Sequence, residues 1–171
     1  LYMITADGKL KNIRAAGNSQ NADIKLQTVE VVLHKDGIIN AFYEKDKIYF
    51  IGADKKLYQY DLLHKEGMFI AALSQLIDEY GWVSMIVAFG SDIFISFNDD
   101  GVIKLDKEND YAPVAVCPGV RVFCLHKDSK QDILWIGTDG RGVQMFCRGQ
   151  ELFGGLTLDN VHFGTCRLYT T

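Results

Sequence analysis

Four segments of this chain carry the same order of apolar and polar positions. The clearest is Ile133–Phe146, where an apolar run (Ile133, Leu134, Trp135, Ile136) ends in Gly137-Thr138. Asp139-Gly140-Arg141-Gly142 follows, and a second apolar run opens at Val143. Asp and Gly tolerate the positive φ of tight turns, so this order predicts a β-hairpin. Leu134–Val143 aligns without gaps with Ile93–Val102, Ile48–Leu57 and Leu1–Leu10. Each copy reads aliphatic, aromatic, further apolar residues, an Asx/Gly turn, then Val or Leu. The starts at 1, 48, 93 and 134 give intervals of 47, 45 and 41 residues.

Short strands repeating every roughly 40 to 50 residues are the sequence signature of β-propeller blades, about four strands each. The expected fold is therefore all-β, with four-stranded antiparallel blades over 1–36, 37–80, 81–118 and 119–153, and a partial blade over 154–171. Hairpin strands are expected at Leu1–Thr5 and Leu10–Ala15, with outer strands at Ile24–Thr28 and Glu30–His34. The second blade should hold Ile38–Glu44, Lys47–Gly52 and Lys56–Asp61. In the third, strands fall near Val83–Phe89, Ile93–Phe97, Val102–Leu105 and Ala112–Cys117. In the fourth they fall at Val120–His126, Ile133–Thr138, Val143–Cys147 and Glu151–Phe153. Met68–Tyr80 is irregular: Leu73, Leu76, Ile77 and Tyr80 have helical spacing, while Met68–Ala72 also reads as an outer strand.

Val83–Phe89 and Lys47–Gly52 are near-continuous apolar runs, as expected of strands covered on both faces. The aromatic at the second repeat position (Tyr2, Tyr49, Phe94, Trp135) is expected to fill the wedge between neighbouring blades. Four blades and a fragment form an arc with two open apolar faces, and large apolar patches rarely stay exposed on a monomer. The expectation is a piece of a larger ring, or faces covered by another copy of the chain. Because the chain opens at Leu1 inside a strand-like repeat, its natural start is expected upstream.

Composition narrows the partners. The 171 residues are 48% hydrophobic and 12% aromatic, with a net charge of −4. A mildly acidic chain argues against nucleic acid, which calls for a basic face. No apolar run reaches the roughly 18 residues of a membrane helix, so any membrane contact is expected only through segments outside this sequence. Cys117, Cys124, Cys147 and Cys166 show no CxxC spacing, which points away from zinc; the apolar context of Cys117, Cys124 and Cys147 favours buried thiols, with a disulfide as the alternative in an oxidising compartment.

No motif carries catalytic or cofactor chemistry. Asp139-Gly140-Arg141-Gly142 lacks the GK[ST] of a phosphate loop. Asp106–Asp110 alternates carboxylates but lacks the glycine and terminal glutamate of a calcium loop, so a solvated turn is expected. His34, His64, His126 and His162 are scattered and form no metal-ligand pattern. No catalytic residue, cofactor or metal is expected. Trp82, after Gly81 and outside the repeat register, is the one candidate for stacking on a ligand, with core packing as its competing role.

Leu134–Val143, with its lead-in Val122–Asp128, resembles the two-component regulator propeller repeat, typified by LWIGT, a glycine-rich turn and a hydrophobic strand. Trp135, Gly137, Thr138, Asp139, Gly140 and Gly142 carry the match, and Tyr2, Tyr49 and Phe94 stand where the tryptophan does in the other copies. Those copies depart from the pattern: Tyr or Phe replaces Trp, and Ile-Thr, Ile-Gly or Ser-Phe replaces Gly-Thr. Such repeats occur in periplasmic sensor regions of hybrid two-component histidine kinases of Bacteroides-type bacteria. The resemblance implies a periplasmic ligand-sensing module without chemistry of its own, with an oligosaccharide as expected ligand. The alternatives are a propeller enzyme acting on polysaccharide, or a streptogramin-lyase-like protein. A WD-type interaction scaffold is disfavoured by the missing WD and Gly-His signatures.

Overall fold

The computed structural model describes residues 1–16, 25–128, 130–147 and 150–156. The chain divides into two compact units, Leu1–Gln75 and Leu76–Thr171. The described part is all-β: four antiparallel sheets, each a meander with its strands in sequence order.

The first unit holds two sheets. The first consists of β1 (Tyr2–Ile4), β2 (Lys9–Ala16) and β3 (Lys25–Val32). The second consists of β4 (Ile38–Glu44), β5 (Lys47–Gly52), β6 (Lys56–Asp61) and β7 (Glu66–Ala72). Where two outer segments were expected near 24–34, one strand forms, because β3 pairs with β2 continuously from Lys9↔Val32 to Ala16↔Lys25. Leu10, Ile48, Phe50 and Tyr60 form the buried cluster of this unit, with Ile4 and Leu33 packed against it. Phe50 and Tyr58 stack with ring centroids 5.3 Å apart.

Met68–Tyr80 resolves into both of its readings. β7 runs to Ala72, and α1 (Ser74–Tyr80) follows across the division between the units. Gly81, at φ +81°, ends the helix and donates its N–H to the Ile77 carbonyl at 3.0 Å, a left-handed C-terminal cap.

The second unit repeats the scheme. Its first sheet holds β8 (Val83–Phe89), β9 (Asp92–Phe97), β10 (Val102–Asp106) and β11 (Ala112–Ala115). Its second holds β12 (Val122–Asp128), β13 (Ile133–Thr138), β14 (Val143–Cys147) and β15 (Gln150–Leu156). Phe94 from β9 meets Leu134 and Ile136 from β13 in the core between them. The Phe94 and Phe146 rings pack edge-on at 5.0 Å. β5 and β9 are buried along almost their whole length on both faces, which accounts for their unbroken apolar sequence.

The repeat extends to hydrogen bonds and to irregularities. Thr5, Phe97 and Thr138 occupy one repeat position, and each donates its N–H to the carbonyl four residues on, at Lys9, Gly101 and Gly142. In all three four-stranded sheets the first strand is bulged at one register. Ile38/Asn40 faces Gly52/Ile51, Val83/Met85 faces Phe97/Ser96, and Val122/Cys124 faces Thr138/Gly137. A bulge leaves one residue out of the ladder and kinks the strand. The residues left out, Ile39, Ser84 and Phe123, are exposed. The first sheet departs from the four-strand expectation: it begins at the strand equivalent to β5, β9 and β13, and no bulged strand stands beside β1 among the described residues.

Candidate functional site

One concavity lies within the first unit. A cleft of about 650 Å³ lies between β1 with its turn (Tyr2, Ile4, Thr5, Ala6) and β4 with Ile48 of β5. That volume falls within the range of binding pockets. The β4 wall carries Ile38, Ile39, Asn40, Ala41 and Tyr43. The lining is largely apolar. Its polar side chains are partly committed: Asn40 Oδ1 accepts from the Ala41 N–H at 2.9 Å, and Thr5 Oγ1 donates to the Lys9 carbonyl at 3.2 Å. Tyr2 and Tyr43 stand 44% and 65% exposed. Tyr60, buried in the cluster of this unit, has its phenol pKa raised, first by burial and then by Tyr2.

The loop into β4 and the turn out of β5 hold the neighbouring wall in place. Ile38 N–H donates to the Ala6 carbonyl at 3.0 Å, and Ala53 N–H donates to Gly37 at 3.1 Å. Gly8 is required at φ +84°, because a Cβ there would overlap the His34 carbonyl oxygen. Beside this contact the Tyr58 hydroxyl donates to Asp54 Oδ2 at 2.7 Å. Lys56 Nζ lies 3.2 Å from the same oxygen, and His34 Nε2 lies 3.5 Å from Asp54 Oδ1. Burial and the Asp54 carboxylate push the Tyr58 phenol up to about 12. Burial opposes the Asp54 charge, but the bonds from Tyr58 and Lys56 outweigh it and lower the pKa. At neutral pH Tyr58 is a protonated donor and Asp54 an anion, so their bond braces the turn.

The repeat-signature residues divide by role. Tyr49 and Phe94 are buried, Trp135 is half-buried, and Tyr2 is exposed, so Tyr2 departs from the expected wedge-filling position. Thr138 closes the β13–β14 hairpin through its N–H and its hydroxyl, both donating to the Gly142 carbonyl. Asp139 N–H donates to Arg121 at 2.8 Å. Gly140 and Gly142 sit at φ +77° and +72° as the turn demands. Gly137 answers a close approach: a Cβ there would stand 2.5 Å from Cys124 Sγ.

Trp82, immediately before β8, is 48% exposed, its carbonyl accepts from Asn98 N–H at 2.9 Å, and it does not line the β1–β4 cleft. The carboxylates around 106–110 are engaged in a 3₁₀ turn (Lys107–Asn109), with Asp106 Oδ1 accepting from Glu108 N–H at 3.1 Å. Cys117, Cys124 and Cys147 are unbridged thiols. Cys117 is buried, and its Sγ donates to Gln144 Oε1 at 3.0 Å. Cys166 and His162 lie outside the described residues. Among the described residues no group of three His, Cys, Asp or Glu side chains is placed to hold a metal, and no helix is long and apolar enough to cross a membrane.

Sequence reasoning missed the cleft and its β4 wall.

No family model and no curated protein matches the chain by sequence. Solved structures match by shape. One is the extracellular domain of a one-component system from B. thetaiotaomicron, with a TM-score of 0.51 and 14% identity. Another is the computationally designed Ika8 protein, with a TM-score of 0.51 and 12% identity. Each match covers 90% of this chain, but only 20% of the first structure and 46% of the second. At such identities the likeness is one of fold.

Proposed function

We propose that the four sheets are consecutive β-propeller blades of a larger ring, acting as an extracytoplasmic ligand-sensing module of a hybrid two-component receptor. The carrying observation is the recurrence of one bulge register and one hairpin closure through sheets in tandem. A repeat this regular leaves each sheet covered by its neighbours and leaves the ligand surface to the assembled ring. The fold-likeness to an extracellular domain of a bacterial one-component system supports the sensing assignment and a periplasmic location. The chain spans a fifth of that structure, in keeping with a partial ring.

The module binds and performs no chemistry. The cleft lining offers no carboxylate, imidazole or thiol, and the Tyr58–Asp54 group is locked in one protonation state at neutral pH. An oligosaccharide is the ligand class, and Trp82, 48% exposed, is an aromatic ring open enough to stack on a sugar face.

The test is calorimetric titration of a panel of oligosaccharides into the complete extracytoplasmic region, with product analysis alongside. Binding by one glycan class, unchanged glycan after prolonged incubation, and at least tenfold weaker binding by Trp82→Ala are expected. Cleavage of the glycan would overturn the non-catalytic reading, and binding indifferent to Trp82→Ala would remove that residue from the site.

A further inference from the structure

One backbone position is held in the same way in all three four-stranded sheets, while its side chain differs. It is the residue immediately before the first strand: Gly37, Trp82 or Arg121. Its carbonyl accepts from the first residue after the second strand, from Ala53 N–H at 3.1 Å, Asn98 N–H at 2.9 Å and Asp139 N–H at 2.8 Å. Two residues further on stand the bulged residues Ile39, Ser84 and Phe123, exposed in each sheet. Side chains that vary on a repeated, hydrogen-bonded backbone and face water have no packing duty to fulfil. A rigid scaffold presents recognition groups at such places.

The second unit sets two of these positions side by side. Met85 Sδ accepts the Leu125 N–H at 3.3 Å, and Lys127 Nζ donates to the Ala88 carbonyl at 3.1 Å. The contacts advance together along both strands, so β8 and β12 run alongside each other in the same direction. Trp82 and Arg121, each one residue ahead of its strand, therefore stand at the same end of neighbouring strands. Trp82 and Phe123 are 48% and 62% exposed, and Arg121 is exposed. The Arg121 guanidinium carbon lies 5.9 Å from the centroid of the Phe123 ring, a cation–π contact that gives the charged fork a platform.

Among the described residues no carboxylate lies within ion-pair distance of Arg121. A braced guanidinium without an internal counter-ion offers parallel N–H donors to an incoming carboxylate or sulfate. The chain as a whole carries a net charge of −4, so an anion is drawn here by this local cation and not by the overall field. Beside it, Trp82 offers an apolar face of the kind that covers a sugar ring.

We propose that the glycan bound at Trp82 is acidic, with a sugar face stacked on Trp82 and a carboxylate or sulfate of the same glycan held by Arg121, which Phe123 orients. This inference rests on the sugar-sensing reading above and adds to it the charge of the sugar and the residue that selects for it.

The test is to titrate the complete extracytoplasmic region with tetragalacturonate, its methyl ester, a carboxylate-free sulfated carrageenan tetrasaccharide, and neutral xylo-, cello- and mannotetraose. An acidic probe should bind about tenfold tighter than the ester and the neutral sugars, and which of the two binds separates carboxylate from sulfate. Arg121→Gln should weaken that binding about ten- to a hundredfold, the worth of a hydrogen bond to a charged group, with unchanged circular dichroism. A salt series on the wild-type protein needs no variant: raising salt from about 50 to about 500 mM should weaken binding of the acidic probe and spare any neutral one. Neutral sugars bound as tightly as acidic ones overturn the proposal and leave the sugar-sensing reading standing. Acidic binding indifferent to Arg121→Gln or to salt does the same. Binding of none of these sugars overturns both.

Discussion

β1 and β5 occupy the same repeat position, carry nearly the same sequence (Leu-Tyr-Met-Ile and Ile-Tyr-Phe-Ile), and meet water very differently. In β5 the run is buried on both faces, with a bulged partner strand on one side and β6 on the other. β1 has β2 alone, and its first three residues are largely exposed. The apolar character of a repeat position thus records the environment the repeat was built for. Burial is conferred by neighbours, and among the described residues β1 pairs with β2 alone while β5 is paired on both sides.

Paired substitutions can break or sharpen this comparison, and the largest effect is expected at the first position. Ile48→Ala should destabilise the protein by about 2–5 kcal/mol, as large-to-small changes in packed cores do. Leu1→Ala should stay within about 0.5 kcal/mol, as at an exposed site. Urea unfolding midpoints measure both, and equal losses would mean that β1 is buried in solution.

The second pair concerns Gly8 and Lys55, which share a repeat position and a positive φ of 84° and 57°. Their carbonyls accept from Leu33 and Leu73, the residues next after β3 and β7. Gly8→Ala should cost at least about 1–3 kcal/mol, because it adds left-handed strain to an overlap with the His34 carbonyl. Lys55→Gly should change stability by less than about 1 kcal/mol, since relieved strain and added chain entropy oppose each other. Thermal unfolding of the two variants gives the contrast directly.

The Tyr58–Asp54 bond should contribute less. Tyr58→Phe is expected to cost about 0.5–1.5 kcal/mol, the range for one hydrogen bond, read from the same unfolding curves. Its titration gives a sharper signal. A phenol pushed up to about 12 favours the protonated form in the folded state. The stability it adds is therefore present below its ordinary pKa and is lost as pH rises through about 12. Absorbance at alkaline pH should show one tyrosine ionising after the others, and Asp54→Asn should bring it part of the way back, since burial is the larger cause. Asp54 has the opposite sign: its lowered pKa adds stability above the ordinary carboxylate value, lost as pH falls through the lowered one. Asp54→Asn should flatten that acid limb.

Sequence pattern located most strands directly. Ile38–Glu44, Lys47–Gly52, Lys56–Asp61, Val83–Phe89, Ile133–Thr138 and Val143–Cys147 form where the apolar runs and Asx/Gly turns place them. These signals are local, since turn chemistry and strand texture act over a few residues. The glycines of the 139–142 turn were legible for the same reason. The reason for Gly137 was not, because it lies in Cys124, thirteen residues away in sequence and adjacent only once β12 pairs with β13. The Tyr58–Asp54–His34 group was equally hidden. His34 sits in a loop between sheets, and only the docking of the Gly8 turn on that loop sets its position.

By itself, the amino-acid sequence determined the period, the strand-and-turn grammar and the all-β class, because each depends on side chains within a few residues of one another. The tertiary structure decided which copies of the same pattern become core. Position two is interior in Tyr49 and Phe94, half-covered in Trp135 and exposed in Tyr2. Burial belongs to pairs of sheets, and the repeat alone does not say which copies are packed on both faces.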